Sequence, residues 1–170
     1  MTGWADHLII APILLPLAAS ALILLFGEGR RPLRRAIAIA SGLALLAISL
    51  ALMNSAAHSP EPRIYRVGDW PAPFAITLVL DRLSALMLLL SSVLGCASLF
   101  YASARWDRAG PRFHALFQFL LMGVNGAFLT GDLFNLFVFF EVLLAASYGL
   151  ALHGSGSARV TAGLRYIVVN

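Results

Sequence analysis

Five long apolar runs, separated by short segments that hold most of the charge, limit what this chain can fold into. A helix crossing the hydrocarbon core of a bilayer, about 30 Å thick, needs roughly 20 mainly apolar residues. The runs are Leu8 to Phe26, Ala36 to Met53, Leu78 to Ala104, Phe113 to Thr130 and Leu133 to Leu152. A further run starts near Thr161 and is still apolar at Tyr166–Ile167–Val168–Val169, where the chain stops at Asn170. About ten residues are too few to cross a bilayer. The sequence therefore reads as a gene fragment or a piece of a longer polypeptide. The expected fold is all-α: residues 1–170 form a single transmembrane domain, a polytopic bundle of about five complete helices plus the incomplete start of a sixth over 161–170.

A soluble helical protein would need polar outer faces on its helices. Leu43 to Met53 and Phe134 to Ala146 are apolar nearly all round. Hydrophobic residues make up 60% of the chain and charged residues 12%, against about 25% charged in an ordinary soluble domain.

All 12 basic residues are arginines, and their placement orients the bundle. Arg30, Arg31, Arg34 and Arg35 follow the first run, Arg105, Arg108 and Arg112 the third, and Arg159 and Arg165 the fifth. Alternating helices put these nine on one side. Only Arg63 and Arg66 lie in the long loop on the other side, and Arg82 sits at a helix start. The positive-inside bias places the nine in the cytoplasm and the N-terminus outside, in a multi-pass protein of the cell (plasma) membrane. The same clustering between apolar runs argues for the lipid bilayer and against nucleic acid as the partner of this basic chain.

Met1 to His7 has no basic stretch ahead of the first run, so that run reads as a retained span and not as a signal peptide. The longest connection, Asn54 to Thr77, contains Pro60, Pro62, Gly68, Pro71 and Pro73. Arg63 to Val67 and Phe74 to Leu78 are candidate strands of a small hairpin, and Trp70 suits a membrane interface. Cys96, a lone cysteine within an apolar run, reads as a small packing residue.

The residue that points most directly to chemistry is Glu141. It follows Phe137–Val138–Phe139–Phe140, about 12 Å along a helix that begins at Leu133. That depth is close to the bilayer centre, where a carboxylate is costly and by default functional. Burial favours the neutral acid and a neighbouring cation favours the carboxylate, so a group held between the two can load and release a proton. Phe134, Phe137, Ala145 and Tyr148 share its face at helical spacing, and Ala145, Ala146, Ser147 and Gly149 allow close helix approach. This pattern reads as a packed interior position.

Several other polar residues have structural as well as functional readings. Asp132 in Thr130–Gly131–Asp132 is a candidate N-cap or a group on an ion path, with Asn135 sharing that polar end. Asp81, beside Arg82, is a cap, an ion-pair partner or part of an outer vestibule. Asn125 is a buried amide that must find partners across helices. His7, His58, His114 and His153 show no metal-ligand spacing, so no metal site is expected. No phosphate-binding glycine loop or nucleophile elbow occurs, so neither catalytic residues nor cofactors are expected.

The stretch Thr130–Gly131–Asp132–Leu133–Phe134–Asn135–Leu136–Phe137–Val138–Phe139–Phe140–Glu141–Val142–Leu143–Leu144, followed by Ala146–Ser147–Tyr148–Gly149–Leu150, closely resembles the D subunit of the multisubunit Mrp-type Na+/H+ antiporters. Gly68–Asp69–Trp70–Pro71–Ala72–Pro73–Phe74 and Leu80–Asp81–Arg82–Leu83–Ser84–Ala85–Leu86–Met87 resemble it too. The resemblance is strong from Gly68 onward and weaker before it. It implies the first third of a longer subunit, in a complex with other subunits that exchanges cytoplasmic Na+, K+ or Li+ for external protons. It implies that Glu141 is the carboxylate of proton translocation, working with a lysine on a later, interrupted helix. This chain contains no lysine. It also lacks the inverted repeat that would complete a proton path.

Two other readings stay open. One is an antiporter-like proton-pumping subunit of an NADH:quinone oxidoreductase or membrane-bound hydrogenase, which shares this ancestry. The other is a non-transporting truncated membrane scaffold, in which Glu141 serves stability alone.

Overall fold

In the computed structural model, residues 7–70, 76–110, 112–154, 156, 160, 161, 163 and 165 are described. Among the described residues five helices carry the fold: α1 (Ala11–Leu25), α2 (Arg31–His58), α3 (Arg82–Ala104), α4 (Phe113–Leu129) and α5 (Leu133–Ala151). Three of them, α2, α3 and α5, are long and apolar enough to cross a membrane, and α1 and α4 are shorter apolar helices. The count matches the five apolar runs. The continuation expected from Thr161, and Arg159 before it, fall largely or wholly outside the described residues; Arg165 is exposed.

The boundaries depart from the apolar runs at two places. Helix α2 starts five residues earlier than Ala36 and continues to His58, so Arg31, Arg34 and Arg35 lie in its first turns and not in a loop. Pro32 fits there because the first turn of a helix needs no backbone N–H from it. Arginine stems cover apolar surface while the guanidinium reaches water, so a helix can begin on charged residues.

The third run divides. Thr77–Leu80 is a strand (β2) paired antiparallel with Arg63–Arg66 (β1), with Arg63 opposite Leu80 and Arg66 opposite Thr77. The hairpin therefore exists with its second strand later than Phe74–Leu78; residues 74 and 75 are outside the described set. Helix α3 starts at Arg82, after the β2 ladder ends. Asp81 caps it, accepting a hydrogen bond from the Ser84 N–H at 2.6 Å, while its own N–H donates to Ser84 Oγ at 2.9 Å.

Helix α4 packs against both α1 and α5, and α2 packs against α3. One apolar cluster, around Ile9, Leu52, Leu78, Leu80, Leu88 and Leu129, lies beneath the hairpin. The other, around Ile23, Ala38, Leu45, Leu99, Phe117 and Leu121, lies toward the arginine-rich end. That end is real in three dimensions. Arg35 Nη2 meets Asp107 Oδ2 at 2.6 Å, joining the start of α2 to the connection before α4. Arg34 and Arg112 line one cleft nearby, and Arg31, Arg35 and Arg108 line another.

Candidate functional site

The face that joins α5 to α4 decides where Glu141 goes. Gly123 and Gly126 of α4 lie directly against α5: a methyl group at Gly123 would meet the Leu143 backbone nitrogen at 2.8 Å, and one at Gly126 would run into the Phe139 ring. Gly149 of α5 meets Leu116 in the same way. Residues 139, 143, 146 and 149 thus form the packed stripe of α5. At 100° per residue, Glu141 lies about 200° round from Phe139, on the opposite side.

Glu141 is accordingly exposed, together with Phe134, Phe137 and Ala145. The face read as packed interior is the uncovered face of this bundle. The physical reason is the glycine stripe, which draws the other side of α5 onto α4. Glu141 lies mid-way along α5, about 12 Å from its start. Among the described residues no hydrogen bond or ion pair joins it to Asp132, Asn125 or Asp81.

The start of α5 is fixed tightly. Asp132 is its N-cap: Oδ1 accepts from the Asn135 N–H at 2.7 Å, and Oδ2 from the Asn135 Nδ2 at 2.6 Å. Burial pushes the Asp132 carboxyl up, but these bonds outweigh it and hold its pKa below the ordinary carboxylate value. The Gly131 N–H donates to Thr77 O at 2.8 Å, so the turn before α5 is fastened to the hairpin. At Asp81 the Ser84 N–H dominates and lowers the pKa.

Asn125 is fully buried and bridges three helices. Its Nδ2 donates to Pro12 O at 3.0 Å, and its Oδ1 accepts from Ser91 Oγ at 2.9 Å. Seven residues earlier, on the same face of α4, Gln118 ties that helix to α2: Nε2 donates to Ala38 O at 3.1 Å, and Oε1 accepts from Ser41 Oγ at 3.1 Å. Such pairs satisfy polar groups where no water is available.

Sequence reasoning missed Gln118. It also missed a charged cluster at the arginine-rich end. Asp107 Oδ2 accepts from Arg35 Nε at 2.9 Å and lies 3.3 Å from His114 Nε2. Burial raises the Asp107 pKa, but the hydrogen bonds from Arg35 and His114 overcome it and leave it lowered. The remaining oxygen, Oδ1, is buried without a hydrogen-bond partner. Of the other arginines placed by topology, Arg30, Arg31, Arg105, Arg108 and Arg112 are exposed, and Arg34 is buried. Among the described residues no three His, Cys, Asp or Glu side chains converge as a metal site would require.

The chain has close counterparts among known proteins. The chain is 59% identical over its whole length to a Rhizobium meliloti protein named as the D subunit of a probable K+/H+ antiporter. It is 39% identical, over 97% of its length, to the D subunit of an Na+/H+ antiporter of Alkalihalophilus pseudofirmus. Over this segment the chain is similar in sequence to antiporter D subunits. It covers 32% and 34% of those two proteins, so it spans about a third of the length of these relatives. No family model matches the chain. Among solved structures, a chain of the Mrp complex from Dietzia sp. superposes with a TM-score of 0.83 at 31% identity, over 99% of this chain and 32% of that one. A chain of the archaeal membrane-bound sulfane sulfur reductase superposes at 0.86 with 25% identity, over 94% of this chain and 33% of that one. The helix bundle of this chain is therefore similar to segments of chains from an antiporter complex and a respiratory membrane complex.

Proposed function

We propose that this chain is part of a membrane subunit of a monovalent cation/proton antiporter complex, and that Glu141 carries a proton within it. The observation behind the reading is the position of Glu141 at the middle of an apolar helix, on the face that α1–α4 leave open. A charged carboxylate facing acyl chains costs about 2.5–3.5 kcal/mol on insertion scales and more by other measures. The open face is therefore one that further polypeptide or a water-filled cavity covers in the working protein. This chain contains no lysine, so Glu141 exchanges its proton with water or with a lysine of further polypeptide.

The transported ion is a monovalent cation, and the relatives differ over which one. The 59% identical relative has K+ in its name and the 39% identical one has Na+. Other subunits of such a complex are the expected partners, and transport, not enzymatic turnover, is the expected activity. The arginine-rich end is assigned to the cytoplasm by the positive-inside bias, which leaves the N-terminus outside the cell membrane.

A second reading is a proton-pumping subunit of a redox-driven complex, favoured by the TM-score of 0.86 with the sulfane sulfur reductase chain. It requires proton flux to depend on electron donors.

The test is proton flux, followed with a pH-sensitive dye in inverted vesicles containing the protein as its cell assembles it. Na+ and K+ pulses without an electron donor should drive flux in the wild type and not in Glu141→Gln of equal assembly. Flux that needs an electron donor instead selects the redox reading. Unchanged flux in Glu141→Gln removes the glutamate from proton transfer and leaves the similarity to antiporter subunits as ancestry only.

A further inference from the structure

A cleft of about 430 Å³ opens between α1 and α4 at the arginine-rich end, and it has the composition of a phospholipid site. Its walls are apolar, with Leu24, Phe26, Leu116 and Phe119 among them, and two cations, Arg34 and Arg112, line it. None of its described lining residues is acidic. The neighbouring cleft formed with Arg31, Arg35 and Arg108 differs, because Asp107 lies in its wall and already pairs with Arg35.

Two further observations point to an anion. Arg34 is only 5% exposed, and its Nε is buried with no hydrogen-bond partner. A buried guanidinium donor left unpaired is costly, and a phosphate oxygen is a strong acceptor for it. Second, Arg112 is the N-cap residue of α4 and its side chain makes no capping bond. It supplies no acceptor to the first backbone N–H groups of α4, at the end where the helix dipole is positive. The outer wall is also lipid-like: Leu24 is 53% exposed.

We propose that this cleft binds an anionic phospholipid from the arginine-rich leaflet, with its phosphate on Arg34 and Arg112 and one acyl chain along Leu24 and Phe119. Charge decides for an anionic headgroup over a zwitterionic one: two guanidiniums without a carboxylate are best matched by a lipid of net negative charge. The apolar walls decide for a lipid over a free anion, which would leave them unfilled.

The experiment is native mass spectrometry of the protein purified, in mild detergent, as its cell assembles it. Phosphatidylglycerol, phosphatidylcholine or inorganic phosphate is added in separate titrations. Phosphatidylglycerol should bind at least tenfold more tightly than phosphatidylcholine. Arg112→Gln, an exposed position that leaves the core untouched, should weaken phosphatidylglycerol by roughly fivefold, the worth of one basic residue near a membrane surface. Arg34→Lys keeps the charge and should weaken it less than Arg34→Gln. Leu24→Trp, which fills the outer wall, should weaken the lipid while leaving inorganic phosphate unaffected. Arg66→Gln, on the hairpin, should change nothing. Equal binding of the two lipids, no loss in Arg112→Gln, or full competition by inorganic phosphate with no effect of Leu24→Trp would each overturn the proposal; the last outcome would make it a free-anion site.

Discussion

Asn125 repairs a defect that Pro16 makes in α1. Proline has no backbone N–H, so Pro16 leaves the carbonyl of Pro12, four residues earlier, without its helical donor. That same carbonyl accepts from Asn125 Nδ2 at 3.0 Å, across 113 residues of sequence. Asn125→Leu should therefore destabilise the protein by about 1–2 kcal/mol, the upper range for hydrogen bonds between membrane helices. Pro16→Ala restores the missing N–H, so Asn125→Leu should cost less in that background. Unfolding in denaturing detergent measures all four proteins. Strictly additive costs would mean that the amide and the proline act independently.

The Asp107 cluster predicts an acid-sensitive joint between α2 and α4. The Asp107 pKa is lowered in the folded protein, because the bonds from Arg35 and His114 outweigh burial. A depressed carboxyl stabilises the fold above its unfolded value of 3.8, and this stabilisation fades as pH falls from there through the folded value. Melting temperatures of detergent-purified wild type and Asp107→Asn should differ at pH 7 and converge toward pH 3. The cost of Asp107→Asn at neutral pH should be about 1–2 kcal/mol, less than for a fully buried pair because Arg35 is one-third exposed. A difference that persists unchanged to pH 3 would remove the ion pair as its cause.

How much of the molecule is legible in its sequence depends on range. The five helices were legible because length and apolarity are local properties. The start of α3 was not, because Thr77–Leu80 is short and apolar and fits either strand or helix until Arg63–Arg66 pairs with it. Arg31 to Arg35 looked like a loop because charge density hides the helix beneath it. The position of Glu141 along α5 could be counted from Leu133. Its direction could not, since that is set by the glycines of α4. The meeting of Arg35 with Asp107, 72 residues apart, leaves no mark in either local sequence.

Asp132 separates two roles that one substitution can distinguish. Its carboxylate caps α5 through the Asn135 N–H, and asparagine caps a helix about as well as aspartate. Asp132→Asn should keep stability within about 0.5 kcal/mol, whereas Asp132→Ala should lose about 1 kcal/mol. If capping is its whole role, cation-driven proton flux in inverted vesicles survives in Asp132→Asn. Flux lost at unchanged stability would instead place its charge on the ion path.

The packing of Gly126 on Phe139 sets how far α5 stands from α4, and so where Glu141 is held. A β-carbon at Gly126 meets the Phe139 ring, and α4 and α5 cannot both stay in place. Gly126→Ala should cost about 1–3 kcal/mol, the usual range for overpacking. Phe139→Leu removes the ring edge from that contact, so the double variant should recover part of the loss; two independent sites would give additive costs instead. Glu141 lies on the far side of the same helix, two residues from Phe139. Flux should therefore fall in Gly126→Ala and return in the double variant, even though neither residue touches the carboxylate. Recovery of stability without recovery of flux would show that Phe139 does more than hold the helices at their distance.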